Sequence, residues 1–184
     1  MEPTELCKLA IKYRTDKTPF LNGDPDTAYP SHGYTPYYNE LFLGKAVKRV
    51  LEVGIAGGGS LRMWEEFFKD AEIYGLDINR NWLVNEGRIK SFYCDQGNAD
   101  SLRNAMTQTG GSFDLIVEDG SHEAAHQILT AVTLVPFLAP GGIYIIEDLC
   151  HPEEVVPHLP FAVEVKDFRL HRLSDDRIGV IRCQ

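Results

Sequence analysis

Residues 47–64 read VKRVLEVGIAGGGSLRMW, and the order of residue types in that stretch decides the fold. Residues 47–53 form an apolar, β-branched run of the kind found in strands buried on both faces. The run breaks at Gly54, crosses a glycine-rich turn, and resumes at Ser60 with apolar residues at helical spacing through Phe68. Outward from there the alternation repeats. AEIYGLDI (71–78), IKSFYCD (89–95), FDLIVED (113–119) and GIYIIED (142–148) read as strands, and residues 99–107 and 122–138 read as helices. The turn-forming APGG separates the last of these helices from the fifth strand.

Strands alternating with helices predict an α/β fold, a Rossmann-like, mostly parallel sheet with helices on both faces. The tail departs from this pattern. FAVEVKDFRLHR, a polar SDD turn and RIGVIRC predict a C-terminal antiparallel hairpin. Residues 1–45 predict a helix followed by a long, irregular, lid-like segment, ahead of a sheet core over 46–184. The whole, 1–184, is expected to form one domain.

Composition narrows the function. With 18 Lys+Arg against 27 Asp+Glu the net charge is −9, and no basic run interrupts it. That argues against nucleic acid or an anionic membrane as the main partner. Cys7, Cys94, Cys150 and Cys183 lie far apart with no metal or disulfide spacing, so reduced thiols are expected. No apolar run reaches the ~18 residues of a membrane span. The first residues lack the basic and apolar regions of a signal peptide, so a cytoplasmic location is expected.

The glycine-rich turn indicates a nucleotide, because glycines admit a ligand to the backbone near a helix N-terminus. A dinucleotide fingerprint needs glycine at 54, 56 and 59, but position 56 is Ala56. Glu52, at the strand end, repels phosphate and welcomes a cation. S-adenosylmethionine carries an ammonium and a sulfonium and no phosphate, so the acidic turn favours it. Asp77 closes the second strand, where a carboxylate accepts hydrogen bonds from ribose hydroxyls. An NAD(P)-binding oxidoreductase and a non-catalytic S-adenosylmethionine-binding module are the competing readings.

Two more strands end in acids: Glu118-Asp119-Gly120-Ser121-His122 and Glu147-Asp148. Neighbouring strands are ~4.8 Å apart, so Asp119 and the 147/148 pair can converge on one ion, provided the fifth strand has ended there. Oxygen donors suit a hard cation such as Mg²⁺. His122 then stands beside the ion as a general base. His122-Glu123-Ala124-Ala125-His126 also matches HExxH, which calls for zinc only if both histidines share one helix face. Thr15-Asp16-Lys17 and the segment from His32 to Tyr38 place polar and aromatic groups near the N-terminus. The aromatics there either cover cofactor or substrate or belong to a loop packed on the sheet.

In combination, TDK, HGYTPYY, LEVGIAGGGSLRMW, IYGLDI, Asp95-Gln96, FDLIVEDGSH and GGIYIIEDL resemble the macrocin and mycinamicin sugar O-methyltransferases. These are metal-dependent class I methyltransferases. The resemblance implies that fold, S-adenosylmethionine and Mg²⁺ as cofactors, and a small-molecule hydroxyl acceptor such as a sugar or another oxygen-chelating natural product. It implies that Asp119, Glu147 and Asp148 bind the ion and that His122 is the base. Glu52, Gly54 and Asp77 would hold the methionine and ribose, with Asp95 and Gln96 near the adenine. Ser60, Tyr34 and Tyr38 complete the expected cofactor set. Position 118 departs, being Glu where the family commonly has a second Asp. A homo-oligomer is left open.

Overall fold

The computed structural model describes residues 2–20, 32–169 and 176–183. Five strands, β1 (Arg49–Val53), β2 (Glu72–Asp77), β3 (Ile89–Tyr93), β4 (Phe113–Glu118) and β5 (Leu138–Ile146), pair in parallel. Two more, β6 (Glu164–Asp167) and β7 (Arg177–Arg182), are antiparallel to each other, and β7 is antiparallel to β5. The order across the sheet is β3-β2-β1-β4-β5-β7-β6. The chain reverses direction across the sheet between β1 and β4, the switch point beyond which ligands bind in such folds.

Alternation along each strand divides the core. Val50, Ile73, Leu115 and Ile145 face one layer, built on α1 (Glu5–Tyr13), α2 (Tyr34–Phe42) and α3 (Gly59–Phe67). Leu51, Leu76, Ile116 and Ile146 face the other, which packs on α4 (Ala99–Thr109), α5 (Ala124–Leu134) and the short α6 (Pro152–Val155). Both faces of β1 are thus apolar, which is why its sequence is a run and not an alternation. Asn98 caps α4 by accepting from the backbone N–H groups of Asp100 and Ser101. No helix among the described residues is long and apolar enough to cross a membrane.

Three details differ from the sequence reading. The N-terminal segment is not irregular throughout: α2 forms because Tyr34, Tyr38 and Phe42, spaced by four, all bury on one face. Pro36 is tolerated there because the first-turn N–H groups have no helical partner in any case. Residues 139–142 do not end before the fifth strand; they belong to β5, whose pairing with β4 shifts register between Phe113 and Leu115. Finally α5 starts at Ala124, so His122 precedes it. The lid expectation for residues 21–31 and the hairpin turn lie outside the described residues, whereas the antiparallel strands of that hairpin form as expected.

Candidate active site

A cavity of about 550 Å³ opens at the carboxyl ends of the parallel strands, a usual size for a small-molecule site. Each of β1 to β5 delivers residues to it: Val53 and Gly54, then Asp77, then Cys94 to Gln96, then Asp119, then Asp148. Gly54 is required by packing. A Cβ at its φ of +83° would lie 2.0 Å from the Asp119 carbonyl oxygen, so the β1 and β4 ends meet only through glycine. Ala56, His122 and Asp148 also have positive φ, at 39°, 58° and 49°. Such backbone costs of order 1–3 kcal/mol per residue and clusters at functional sites. For Asp148 it has a clear effect: β5 ends at Ile146, and the turn lets Asp148 line the cavity while Glu147 does not.

On the β2–β3 side, Asp77 is nearly buried and holds the turn: Oδ2 accepts from the Ile55 N–H at 3.0 Å and Oδ1 from the Asn79 N–H at 2.7 Å. Asp95 accepts from the Gly97 N–H at 2.9 Å. Gln96 joins two strand ends, donating to Glu118 and accepting from the Ser121 N–H, both at 2.8 Å. Ile78 and Trp82 add exposed apolar surface to this wall. Asp77, Asp95, Gln96 and Gly54 therefore share one cavity. Ser60 and Glu52 do not line it. Glu52 is fully buried, taking hydrogen bonds from the Trp64 indole at 2.8 Å and from Ser60.

On the β4–β5 side, Asp119, His122 and Asp148 each offer a ligand atom within 4.8 Å of the others. His122 Nε2 lies 3.7 Å from Asp148 Oδ2, and His122 Nδ1 is buried without a hydrogen-bond partner among the described residues. Two carboxylates and a partnerless imidazole nitrogen fit a divalent cation. Glu147, expected at the ion, is turned elsewhere. Its carboxylate is 1% exposed, pairs with Lys17, and accepts from the Tyr38 hydroxyl at 2.8 Å. Tyr34 and Tyr38, expected against the cofactor, are fully buried and absent from the cavity wall; Tyr34 donates to Asp148 at 2.6 Å. They hold the carboxylates from behind.

Sequence reasoning assigned no role to Lys17, the central group of this cluster. Arg14 ends α1 in the left-handed region, and the chain turns so that the Asp16 and Lys17 carbonyls accept from the N–H groups of His32 and Thr35. That seats the Lys17 ammonium, 2% exposed, against Asp119 and Glu147 and 3.3 Å from Glu52. Burial disfavours the charged ammonium, but the three carboxylates outweigh it and raise its pKa well above the ordinary value. Burial likewise raises Glu52 and Glu147, with Lys17 pulling both back. Asp148 is raised by burial and by the nearby Asp119 charge, and His32, 3.6 Å away, opposes this. Glu118, fully buried, rises to about 7 by desolvation, against hydrogen bonds from Gln96 and the Gly120 N–H.

The second histidine of the HExxH string takes no part. His126 Nδ1 is 2.8 Å from the Ser121 hydroxyl, and His122 lies ahead of the helix that carries His126. Among the described residues His126 joins no metal-competent group, so the shared helix face that zinc needs is missing. His32, Asp16 and Trp82 line the cavity without having been assigned to it.

Residues 51–149 match the family described as a methyltransferase domain. The chain is 38% identical over 154 residues to the mycinamicin VI 2''-O-methyltransferase of Micromonospora griseorubida, covering 79% of this chain and 36% of that protein. It is 40% identical over 127 residues to the demethylmacrocin O-methyltransferase of Streptomyces fradiae, covering 64% of this chain and 32% of that protein. The chain thus spans about a third of the length of these curated relatives. The MycE methyltransferase from the mycinamycin biosynthetic pathway, solved with Mg, SAH and mycinamycin VI, has a TM-score of 0.67 and 37% identity over 82% of this chain and 38% of that one. The sheet and its helices have the class I methyltransferase fold seen there. The matched residues run from the first strand to the loop after the fifth, the span that supplies most of the cavity wall, and on that match the chain belongs to the methyltransferase-domain family.

Proposed function

We propose that this chain transfers a methyl group from S-adenosylmethionine to a hydroxyl of a small molecule, a sugar or a comparable oxygen chelate, with a divalent cation such as Mg²⁺ bound. The observation that carries this is the charge of the cavity wall. Asp16, Asp77, Asp95, Asp119 and Asp148 line it, and no Lys or Arg does among the described residues. Such a wall attracts a cationic methyl donor and a metal ion and repels the pyrophosphate of a dinucleotide. The relatives named above are O-methyltransferases of mycinamicin VI and demethylmacrocin, which supports an oxygen acceptor on a small molecule.

In this reading Asp77 accepts from the ribose hydroxyls, and Asp95 and Gln96 border the adenine. Gly54 keeps the approach open, while buried Glu52, with Ser60 on its carboxylate, underlies the methionine end. Asp119 and Asp148 hold the ion, and Tyr34, Tyr38, Lys17 and Glu147 fix those carboxylates. The bound ion would lower the energy of negative charge developing on the acceptor oxygen. His122 accepts the hydroxyl proton, and Asp148, 3.7 Å from its Nε2, orients the ring and stabilises the imidazolium. The proximity of His122 to both aspartates supports a second role, as a third metal donor.

The test is transfer of labelled methyl to mycinamicin VI and demethylmacrocin, with and without EDTA. Mg²⁺-dependent labelling of a sugar hydroxyl is expected; full labelling in EDTA overturns the metal requirement. His122→Ala separates its two roles. As a base its loss costs ~10²–10⁴ in turnover with Mn²⁺ affinity kept; as a ligand its loss weakens Mn²⁺ binding as well.

A further inference from the structure

Three backbone N–H groups of the loop that carries His122 go to side-chain acceptors. The Gly120 N–H donates to Glu118 Oε1 at 3.3 Å, the Ser121 N–H to Gln96 Oε1 at 2.8 Å, and the Glu123 N–H to Ser121 Oγ at 3.4 Å. Two of these acceptors belong to the loop itself or to the strand end it leaves. Gln96 does not. It follows β3, which β2 and β1 separate from β4 in the sheet. The chain after β3 therefore turns back past two strand ends to bring this amide to the end of β4. There it is used at both ends: Nε2 donates to Glu118 Oε1 at 2.8 Å and to Thr130 Oγ1 at 3.4 Å, while Oε1 takes the Ser121 N–H. Gly120 makes room for it, since a Cβ there would lie 1.7 Å from Gln96 Oε1.

We propose that Gln96 is a positioning residue for His122, its side-chain amide serving the His122 loop and not the adenine. The inference rests on the methyl-transfer reading for what His122 does there. His122 has a φ of 58°, a conformation that a non-glycine residue keeps only where its surroundings over-determine it. Gln96 supplies that constraint twice, directly on the Ser121 N–H and through Glu118 on the Gly120 N–H. The loop so held keeps the His122 imidazole 3.7 Å from Asp148 Oδ2. Asp95, the preceding residue, borders the cavity on the side assigned to the cofactor. One short segment thus sets both the wall that holds the methyl donor and the group that meets the acceptor. A loosened loop would leave the cofactor bound but His122 out of register with it, and a misplacement of ~1 Å can cost ~10²-fold in rate.

Nuclear magnetic resonance tests this without an acceptor, through amide exchange at Ser121 and the ring signals of His122, assigned by their loss in His122→Ala and recorded in EDTA. Gln96→Met keeps the length and removes the amide. Its Ser121 N–H is expected to exchange at least ~10-fold faster than in the wild type, with the His122 ring signals shifted. Its affinity for S-adenosylhomocysteine should fall by less than that of Asp77→Asn. Gln96→Glu combined with Glu118→Gln trades acid and amide between the two positions. The amide at 118 then donates, and the carboxylate at 96 accepts from it and from the Ser121 N–H. Slow exchange and the wild-type His122 signals are expected in that chain, a rescue that filling the space alone does not give. Ser121 exchange and His122 signals unchanged in Gln96→Met would overturn the proposal, as would a folded double variant that lacks the wild-type signals. So would S-adenosylhomocysteine binding weakened in both variants as far as in Asp77→Asn, which would return the amide to the adenine. If Gln96→Met does not fold, the double variant decides by itself. A wild type that binds no S-adenosylhomocysteine would instead strike the methyl-transfer reading, and the exchange and ring signals would still judge Gln96.

Discussion

The two faces of the sheet treat the same residue type in opposite ways. Glu52 and Glu147 bury their carboxylates toward the α1–α3 layer, where Lys17, Trp64 and Tyr38 reach them. Glu118 buries its carboxylate toward α4 and α5, where its hydrogen bonds come from Gln96 and the Gly120 N–H, both uncharged, and Oε2 has no hydrogen-bond partner among the described residues. Strand ends alone would make these glutamates equivalent. The difference is the N-terminal segment, which brings a cation and phenols to one face only. What packs over an acidic strand end thus decides how far the desolvation of its carboxylate is offset by charge and hydrogen bonds.

That contrast can be broken or sharpened by substitution. The largest effect is expected where the two faces meet: Gly54→Ala drives a methyl into the Asp119 backbone and should cost more than ~4 kcal/mol, read as loss of folded protein or of its cooperative melt. Next is Glu118→Gln. Because the folded pKa is raised from 4.5 to about 7, wild-type stability falls as pH climbs between those values and stays reduced above them. The variant should melt like wild type near pH 4 and be more stable at pH 8 by about 3 kcal/mol, measured in EDTA. Equal melting at both pH values would mean that Glu118 is already ionised in the fold. On the other face, Tyr38→Phe keeps the packing but takes the hydroxyl from Glu147, a loss of ~1–3 kcal/mol in denaturant titration. The smallest effect belongs to His126→Ala, under ~1 kcal/mol with Mn²⁺ binding intact, because the polar contacts of that ring are to Ser121 and Glu123 among the described residues.

The parallel strands were legible because burial on both faces demands apolar runs, and glycine marks where β1 ends. Their carboxyl ends were legible for the same reason: topology alone carries Asp77, Asp95, Asp119 and Asp148 to one edge. What lay beyond reach depends on long-range docking. Lys17 sits in a short TDK string with no periodicity, and nothing local shows that its ammonium crosses to residues 119 and 147. Tyr34 and Tyr38 read as cover for a cofactor, whereas their spacing of four with Phe42 was the available signal for a buried helix. Glu147 and Asp148 were separable only through the left-handed turn at Asp148, which sequence does not announce at a non-glycine residue.

This acidic cavity should select a cationic methyl donor over a dinucleotide. Calorimetric titration with S-adenosylmethionine and, separately, with NAD⁺ tests it most directly, with Asp77→Asn as the internal control. Saturable binding of S-adenosylmethionine is expected, at least ~10-fold weaker in Asp77→Asn because the ribose hydroxyls lose a charged acceptor, with no binding of NAD⁺. Binding of NAD⁺ as tight as that of S-adenosylmethionine, or no binding of S-adenosylmethionine by the wild type, would contradict it.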